Sequence, residues 1–410
     1  MKNRGSILLL VLVFGGIFFV LLAALADSVV GEHRYQNMLV AKATSFAIAE
    51  AGLEHYAWFL SRYPNDLTHG TGQPGPYTLA YNNISGTQIG TYELSVSGVS
   101  ACGSMQSVDI ISKGTPTGQT STYATLVARY GAPTVAQYSS FVAATGNTHG
   151  VDFSSLTPNY ASLKSSAQSY GTYFPRISPS APPYLGYHLV FNADGTVVIS
   201  TVTSVAYLQS VIPADKSKVN LTDFTLITQE TPLKTISLNR SCGLIFIEDN
   251  AWIEGTVPMS MTVVAANLTG TGTGADVVLK NNLVPSVSNT GSGLTVIAQH
   301  NILIAPDAPQ NMTLSGVFVA AQGVFGRNNY AYPSKSCTLY YETRGTLTLS
   351  GTIVSKLTPI VRWTNGCAIG KDAGYQTWNL TTDPALSGNP PPFTPLISSL
   401  KKFIRWQQIH

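Results

Sequence analysis

Hydrophobic and polar positions divide the chain into stretches of different period. Residues 6–26 carry no charge and are predominantly apolar. At about 1.5 Å per residue they reach roughly 30 Å, the hydrocarbon thickness of a bilayer. Residues 27–63 continue without a proline until Pro64 and are rich in Ala, with Leu and Glu recurring. Within them Val40, Ala43, Ala47, Glu50, Ala51 and Glu54 recur at helical spacing, as do Phe46 and Leu53. The pattern predicts one helix through both stretches, on the order of 85 Å long and ended by Pro64-Asn65-Asp66. Two helices broken near Gly31 satisfy it as well. The small residues Ala43, Ala47 and Ala51 suit close packing against other helices.

Past the helix the period changes. Residues 65–85 read as a loop, punctuated by Gly72-Gln73-Pro74-Gly75-Pro76. Residues 90–97, 107–114 and 122–129 alternate sides as half-buried strands do, which places an antiparallel meander at 86–131. Over 132–241 the pattern weakens into a poorly defined, β-rich linker region. There 141–144 reads as a strand and 161–170 as a short helix. Residues 188–191 and 196–199 read as a hairpin about Asn192-Ala193-Asp194-Gly195.

Over residues 242–357 one phrase recurs with variation. Leu244-Ile245-Phe246-Ile247, Met261-Thr262-Val263-Val264-Ala265, Leu294-Thr295-Val296-Ile297-Ala298 and Gly316-Val317-Phe318-Val319-Ala320 are copies, and residues 347–354 are the last. Each runs into a small-residue corner, an Asn or Gly, and often a second short strand. Such units cannot bury their apolar faces singly, but stacked they share one core. The phrase predicts about four or five irregular coils of a short right-handed parallel β-helix; a β-sandwich is the alternative. Residues 358–410 are a C-terminal extension. Its basic, amphipathic tail, 396–406, is expected to dock on the last coil as a helix or strand, or to touch a membrane surface or a partner. The fold class is α+β, mainly β: a long N-terminal transmembrane helix, antiparallel strands, then the β-helix.

Composition narrows the function. A chain of 410 residues implies two or three domains. Charged residues are 10%, the net charge is +3 and no Lys/Arg run stands out, which argues against a nucleic-acid partner. Hydrophobic residues at 44% are enough to fill a core, so disorder is a poor reading. Cys102, Cys242, Cys337 and Cys367 permit three pairings, and Cys337–Cys367, the pair nearest in sequence, is the one expected. Their spacing matches no zinc site, and neither a metal nor a cofactor is expected.

Lys2 and Arg4 precede the apolar span with no acidic residue, which keeps the N-terminus cytoplasmic and the bulk of the chain extracytoplasmic. Ala24-Leu25-Ala26 imitates the small-x-small site of a cleaved secretory signal, but the helical pattern runs straight past it. A basic leader ending in Gly5, the small Ser6, an uninterrupted apolar span and an Ala-rich helix bearing Ala49-Glu50-Ala51-Gly52-Leu53 resemble the N-terminus of type IV pilin-like proteins of the PilX-type pilus-assembly group. Phe246-Ile247-Glu248-Asp249-Asn250-Ala251-Trp252-Ile253-Glu254-Gly255-Thr256-Val257, Pro390-Pro391-Pro392-Phe393 and Trp406 resemble the C-terminal features of part of that group.

The resemblance implies a leader peptide over 1–5, cut by a prepilin peptidase between Gly5 and Ser6. It also implies methylation of Ser6 and a mature transmembrane and extended helix over 6–64. Leu10 stands where major pilins carry a glutamate, which implies a minor, initiating or tip subunit. The partners implied are other pilin-like subunits, the prepilin peptidase, the inner-membrane assembly machinery and the lipid bilayer. Surface polysaccharide joins them if the β-rich part is adhesive.

Parallel β-helices also carry polysaccharide lyases and hydrolases, which need clustered carboxylates or a calcium site beside an Arg or Lys. Glu248, Asp249 and Glu254 are the nearest candidates. Asp276, Asp307 and Glu342 follow, but not at matching places in the later coils, so the three read as surface charges beside a turn. His149, His188 and His300 lie far apart, and His300 beside Asn301 reads as a corner residue. No Gly-x-Ser-x-Gly, phosphate loop or His-Glu-x-x-His occurs. The sequence therefore points to a non-catalytic structural protein. Its rival is a membrane-anchored surface β-helix that binds or cleaves polysaccharide.

Overall fold

The computed structural model describes residues 4–119, 121–138, 141–143, 158–177, 186–206, 208–212, 215–220, 226–238, 242–269, 274–286, 291–331 and 341–409. The chain divides into two compact units. One comprises Met1–Val99, Ser107–Tyr130 and Phe403–His410; the other comprises Ser100–Gln106 and Gly131–Lys402.

The first unit is built on α1 (Arg4–Arg62), one helix of 59 residues with no break at Gly31. It ends just before Pro64, whose preceding residue is disfavoured in the helical region. Beside it lie β1 (Tyr77–Asn82), β2 (Gln88–Ala101), β3 (Ser104–Pro116) and β4 (Ala124–Gly131). The sheet order is β1-β2-β3-β4, followed by a C-terminal strand, Lys402–Ile409. β1 and β2 are antiparallel, and the two-residue turn Cys102-Gly103 leaves β2 and β3 no other arrangement.

Two expectations are corrected here. The stretch read as a loop contains β1, whose side chains alternate between half-buried and exposed with none fully buried. The C-terminal tail does not dock on the last coil; it pairs beside β4. Phe403 packs edge-on to Tyr130 at 5.7 Å and Trp406 lies 6.0 Å from Phe46 of α1. These aromatic anchors hold a strand whose own face is largely exposed.

The second unit begins with β5 (Phe141–Ala143), α2 (Tyr160–Tyr170), β6 (Thr172–Phe174), β7 (Gly186–Phe191), β8 (Thr196–Val205), β9 (Ser210–Ile212), β10 (Asp215–Asn220) and β11 (Ile227–Ser237). It continues with β12 (Leu244–Ile247), β13 (Asn250–Val257), β14 (Ser260–Ala265), β15 (Val277–Pro285), β16 (Gly293–Ala298) and β17 (Ile302–Ile304). The last strands are β18 (Met312–Ala320), β19 (Phe325–Gly326), β20 (Thr343–Ser355), β21 (Arg362–Ala368) and β22 (Lys371–Thr381). Successive coils stack in parallel, in three rows. The first row is β6-β12-β14-β16-β18-β20-β5. The second is β7-β13-β15-β17-β19. The third runs from the ends of β13 and β15 through β18 and β20 to β22. The coils thus extend beyond residues 242–357 on both sides.

Row by row, burial explains the sequence pattern. In the first row Ile245, Val263, Val296, Phe318 and Ile353 are in register and point into the coil. Their neighbours Phe246, Val264, Ile297, Val319 and Val354 point outward, yet they are buried with Tyr160, Leu163 and Ala167 of α2. A strand covered on both faces needs an unbroken apolar run, and that is why these copies do not alternate. In the third row Leu283, Leu314 and Leu349 point inward, while Asn282 and Thr313 are exposed, so the sequence alternates there.

The corners between the first and second rows are held by a side-chain ladder. Asn250 Oδ1 accepts from Asp276 N at 2.8 Å, Asp276 Oδ1 from Asn301 N at 2.6 Å, and Asn301 Oδ1 from Val324 N at 2.9 Å. Each corner thereby satisfies a buried backbone donor on the next coil.

Candidate functional site

The residues that the resemblance marks for processing lie at the start of α1. Arg4, Gly5 and Ser6 are helical, and Lys2 lies outside the described residues. The helix is long and apolar enough to cross a membrane, and its hydrophobic window is wholly uncovered. Leu10 is exposed within that window.

From Ala41 onward the helix has two faces. Ala41, Ser45, Ile48, Ala49, Leu53, Tyr56 and Leu60 are buried. Two glycines permit this face to lie against the sheet. A Cβ on Gly114 of β3 would stand 2.3 Å from Ser45 O and 2.4 Å from Ala49 N. A Cβ on Gly52 would meet Ser112 Oγ at 2.2 Å and Tyr92 Cδ2 at 3.0 Å. The Ala49-Glu50-Ala51-Gly52-Leu53 stretch is therefore explained within this chain: Ala49, Gly52 and Leu53 face the sheet, and Glu50 faces out. Of the expected packing residues, Ala43 and Ala47 are exposed and Ala51 is half-buried, so this chain's own sheet does not cover the first two.

The carboxylates considered for catalysis are engaged elsewhere, and the expectation of surface charges beside a turn fails for two of them. Glu248 and Asp249 are buried. Glu248 Oε2 takes a salt bridge from Lys164 Nζ of α2 at 2.7 Å and a hydrogen bond from the Tyr173 hydroxyl. Burial alone would raise the Glu248 pKa, but the Lys164 and Tyr173 hydrogen bonds hold it below the usual carboxylate range. Asp249 accepts from Ile177 N at 3.1 Å and from Asn250 N at 2.9 Å. Glu254 lies one strand further on, 2.9 Å from His188 Nε2. Glu248 and Asp249 thus sit in the corner between β12 and β13 with partners of their own, and Glu254 stands on β13 against His188.

His300 sits at a corner, with Nδ1 2.9 Å from Asp276 Oδ1. His149 lies outside the described residues. Among the described residues, no group of three or more His, Cys, Asp or Glu can hold a metal ion.

Cys102 and Cys242 form a disulfide across 140 residues of sequence. The expected Cys337–Cys367 pairing involves Cys337, which lies outside the described residues. Neither Gly114 nor the link from His188 to Glu230 on β11 has a local signature in the sequence. A glycine inside a helical pattern, as at Gly52, signals close approach, but nothing local marks its counterpart Gly114 on the sheet.

No family model matches the chain, and no curated protein matches it. Among solved structures, the crystal structure of the competence-associated pilin ComZ from Thermus thermophilus is similar over 90% of this chain and 97% of that one, at 11% identity and a TM-score of 0.30. So loose a likeness decides neither fold nor function.

Proposed function

We propose that this chain is a pilin-type structural subunit, a minor subunit of a type IV pilus or of a type II secretion-like filament. A prepilin peptidase cuts between Gly5 and Ser6, and Ser6 is then methylated. Lys2 and Arg4 keep the N-terminus cytoplasmic, and the inner-membrane machinery draws the helix from the bilayer into the filament. The observation that carries this reading is the division of labour on α1. One face docks on the chain's own sheet, while Ala43, Ala47 and the apolar span from Leu9 to Ala26 are left uncovered. An uncovered apolar rod with a small-residue face suits burial first in lipid and then among like helices. Leu10 in place of the glutamate supports the minor role.

The outward side of the third row suits an adhesive function. Asn282, Thr313, Thr348 and Asn379 follow one another across four strands, uncharged and matched to a neutral polysaccharide.

Lysine at Ala43 and Ala47 tests assembly. Both positions are exposed, so the variant folds and reaches the membrane at the wild-type level. Its amount in sheared filaments, read by immunoblot, falls at least about tenfold, because each lysine would be buried without a partner among the helices. Incorporation at the wild-type level sinks the reading.

A further inference from the structure

Strand β11 is the edge of its sheet, in the order β11-β8-β7-β13. Apolar packing holds it poorly. Every residue from Thr228 to Thr235 is exposed, and only Ile227 and Ile236 are half-buried. Its antiparallel ladder with β8 shifts register at three places, and Pro232 contributes no N–H. Two side chains, Glu230 and Lys234, reach inward past β8. Glu230 Oε2 lies 2.7 Å from Nδ1 of His188 on β7. The other ring nitrogen, Nε2, lies 2.9 Å from Glu254 Oε1 on β13. The His188 side chain is only 6% exposed, while those of Glu230 and Glu254 are 38% and 17% exposed.

Proton accounting makes this bridge conditional. A carboxylate only accepts hydrogen bonds, and a neutral imidazole has one N–H to give. Both bridges are complete only when His188 is an imidazolium. When the proton leaves, a lone pair faces a carboxylate. Glu254 keeps other support, being near Lys280 and hydrogen-bonded by Asn281 of β15. Glu230 is the more exposed of the two and passes readily into water.

We infer that His188 is a proton-gated clasp that fastens the edge strand β11 to the coils through Glu230 and Glu254, and releases β11 when its proton is lost. The charged groups that act on the ring are Glu254 and Glu230. Its register partners are Ser200 on β8 and Trp252 on β13, and Lys234 of β11 lies instead over the Phe174 ring at 5.2 Å. The ionisation balance agrees. Burial alone would lower the His188 pKa, but Glu254 and Glu230 together raise it above the ordinary histidine value. The hydrogen bond from His188 in turn lowers the Glu254 pKa. A raised histidine stabilises fully below its ordinary pKa and loses that contribution as pH climbs through the raised value. A lowered carboxylate stabilises above its ordinary pKa and loses that contribution as pH falls through the lowered one. The clasp is therefore closed below the ordinary histidine pKa and opens as pH climbs through the raised value. Opening leaves the outer N–H and C=O groups of β8 unpaired.

Hydrogen exchange by mass spectrometry on the full chain in detergent tests this, from about pH 6 to about pH 9 and corrected for intrinsic exchange rates. The expected result is that β11 protection falls with rising pH while β14 and β16 stay protected. Glu230→Gln leaves the buried ring in place. It lowers β11 protection at the acidic end about tenfold, the change expected for losing a charge-assisted hydrogen bond, and flattens the pH dependence. His188→Gln does the same. β11 protection in Glu230→Gln equal to that of the wild type, or wild-type protection that does not vary with pH, overturns the clasp.

Discussion

Replacing both Cys102 and Cys242 by serine lowers the stability of the β-rich unit by about 3–5 kcal/mol. The bond closes a loop with a sequence separation of 140, and the unfolded-chain entropy that a cross-link removes grows with the logarithm of loop length. Both residues belong to the second unit. Cys102 is buried at the left-handed turn between β2 and β3, and Cys242 lies just before the first strand of the β12 coil. Within that unit the bond fixes the Cys102 turn to the start of that coil. Serine substitution is preferable to a reductant, which would also reach the other cysteines. Chemical denaturation of the full chain in detergent, followed by tryptophan fluorescence, reads the effect. Trp252 is fully buried and reports on the coils. A lowered midpoint with an unchanged slope is the expected result. An unchanged midpoint would mean that other contacts already hold the two ends together.

Gly114→Ala is the second large effect, and its sign is diagnostic. Where a strand glycine has ordinary backbone angles, alanine usually stabilises, by about 0.4–1 kcal/mol, through the unfolded chain. Here the new methyl would stand against the backbone of α1, at Ser45 O and Ala49 N, and no rotamer change relieves it. The helix must move off the sheet, at a cost of about 2–3 kcal/mol. Gly52→Ala is the matched control. Its methyl meets side chains alone, the Ser112 hydroxyl, which can rotate, and the Tyr92 ring at 3.0 Å, which must give by a few tenths of an ångström, while alanine gains about 1 kcal/mol of helix propensity. The two contributions roughly cancel. Comparable effects from the two variants would contradict the docking geometry.

How much was legible follows from which faces are covered. The long helix was readable because nothing interrupts it before Pro64. The repeated apolar phrase was readable because the first row is buried on both sides, which forces Leu-Ile-Phe-Ile and Thr-Val-Val-Ala runs that no solvent-facing strand would carry. The coils on either side of residues 242–357 were missed for the converse reason. β6 is three residues long, and β22 alternates because its outer side faces water. The docking place of the C-terminal strand was not legible because its residues are mostly exposed and its pairing partner lies far away in sequence. Glu248 and Asp249 looked like turn charges because their partners, Lys164, Tyr173 and Ile177, come from a region with little periodicity. The His188 clasp was hidden in the same way, since its two carboxylates stand 42 and 66 residues further on.

The central claim is that α1 is a processed, assembling pilin-type helix. It is tested most directly by the intact mass and N-terminal peptide of the chain recovered from membranes and filaments of its own host. A mature chain beginning at Ser6 and carrying one N-terminal methyl group is the predicted result. A chain that begins at Met1 or Asp27 would contradict it.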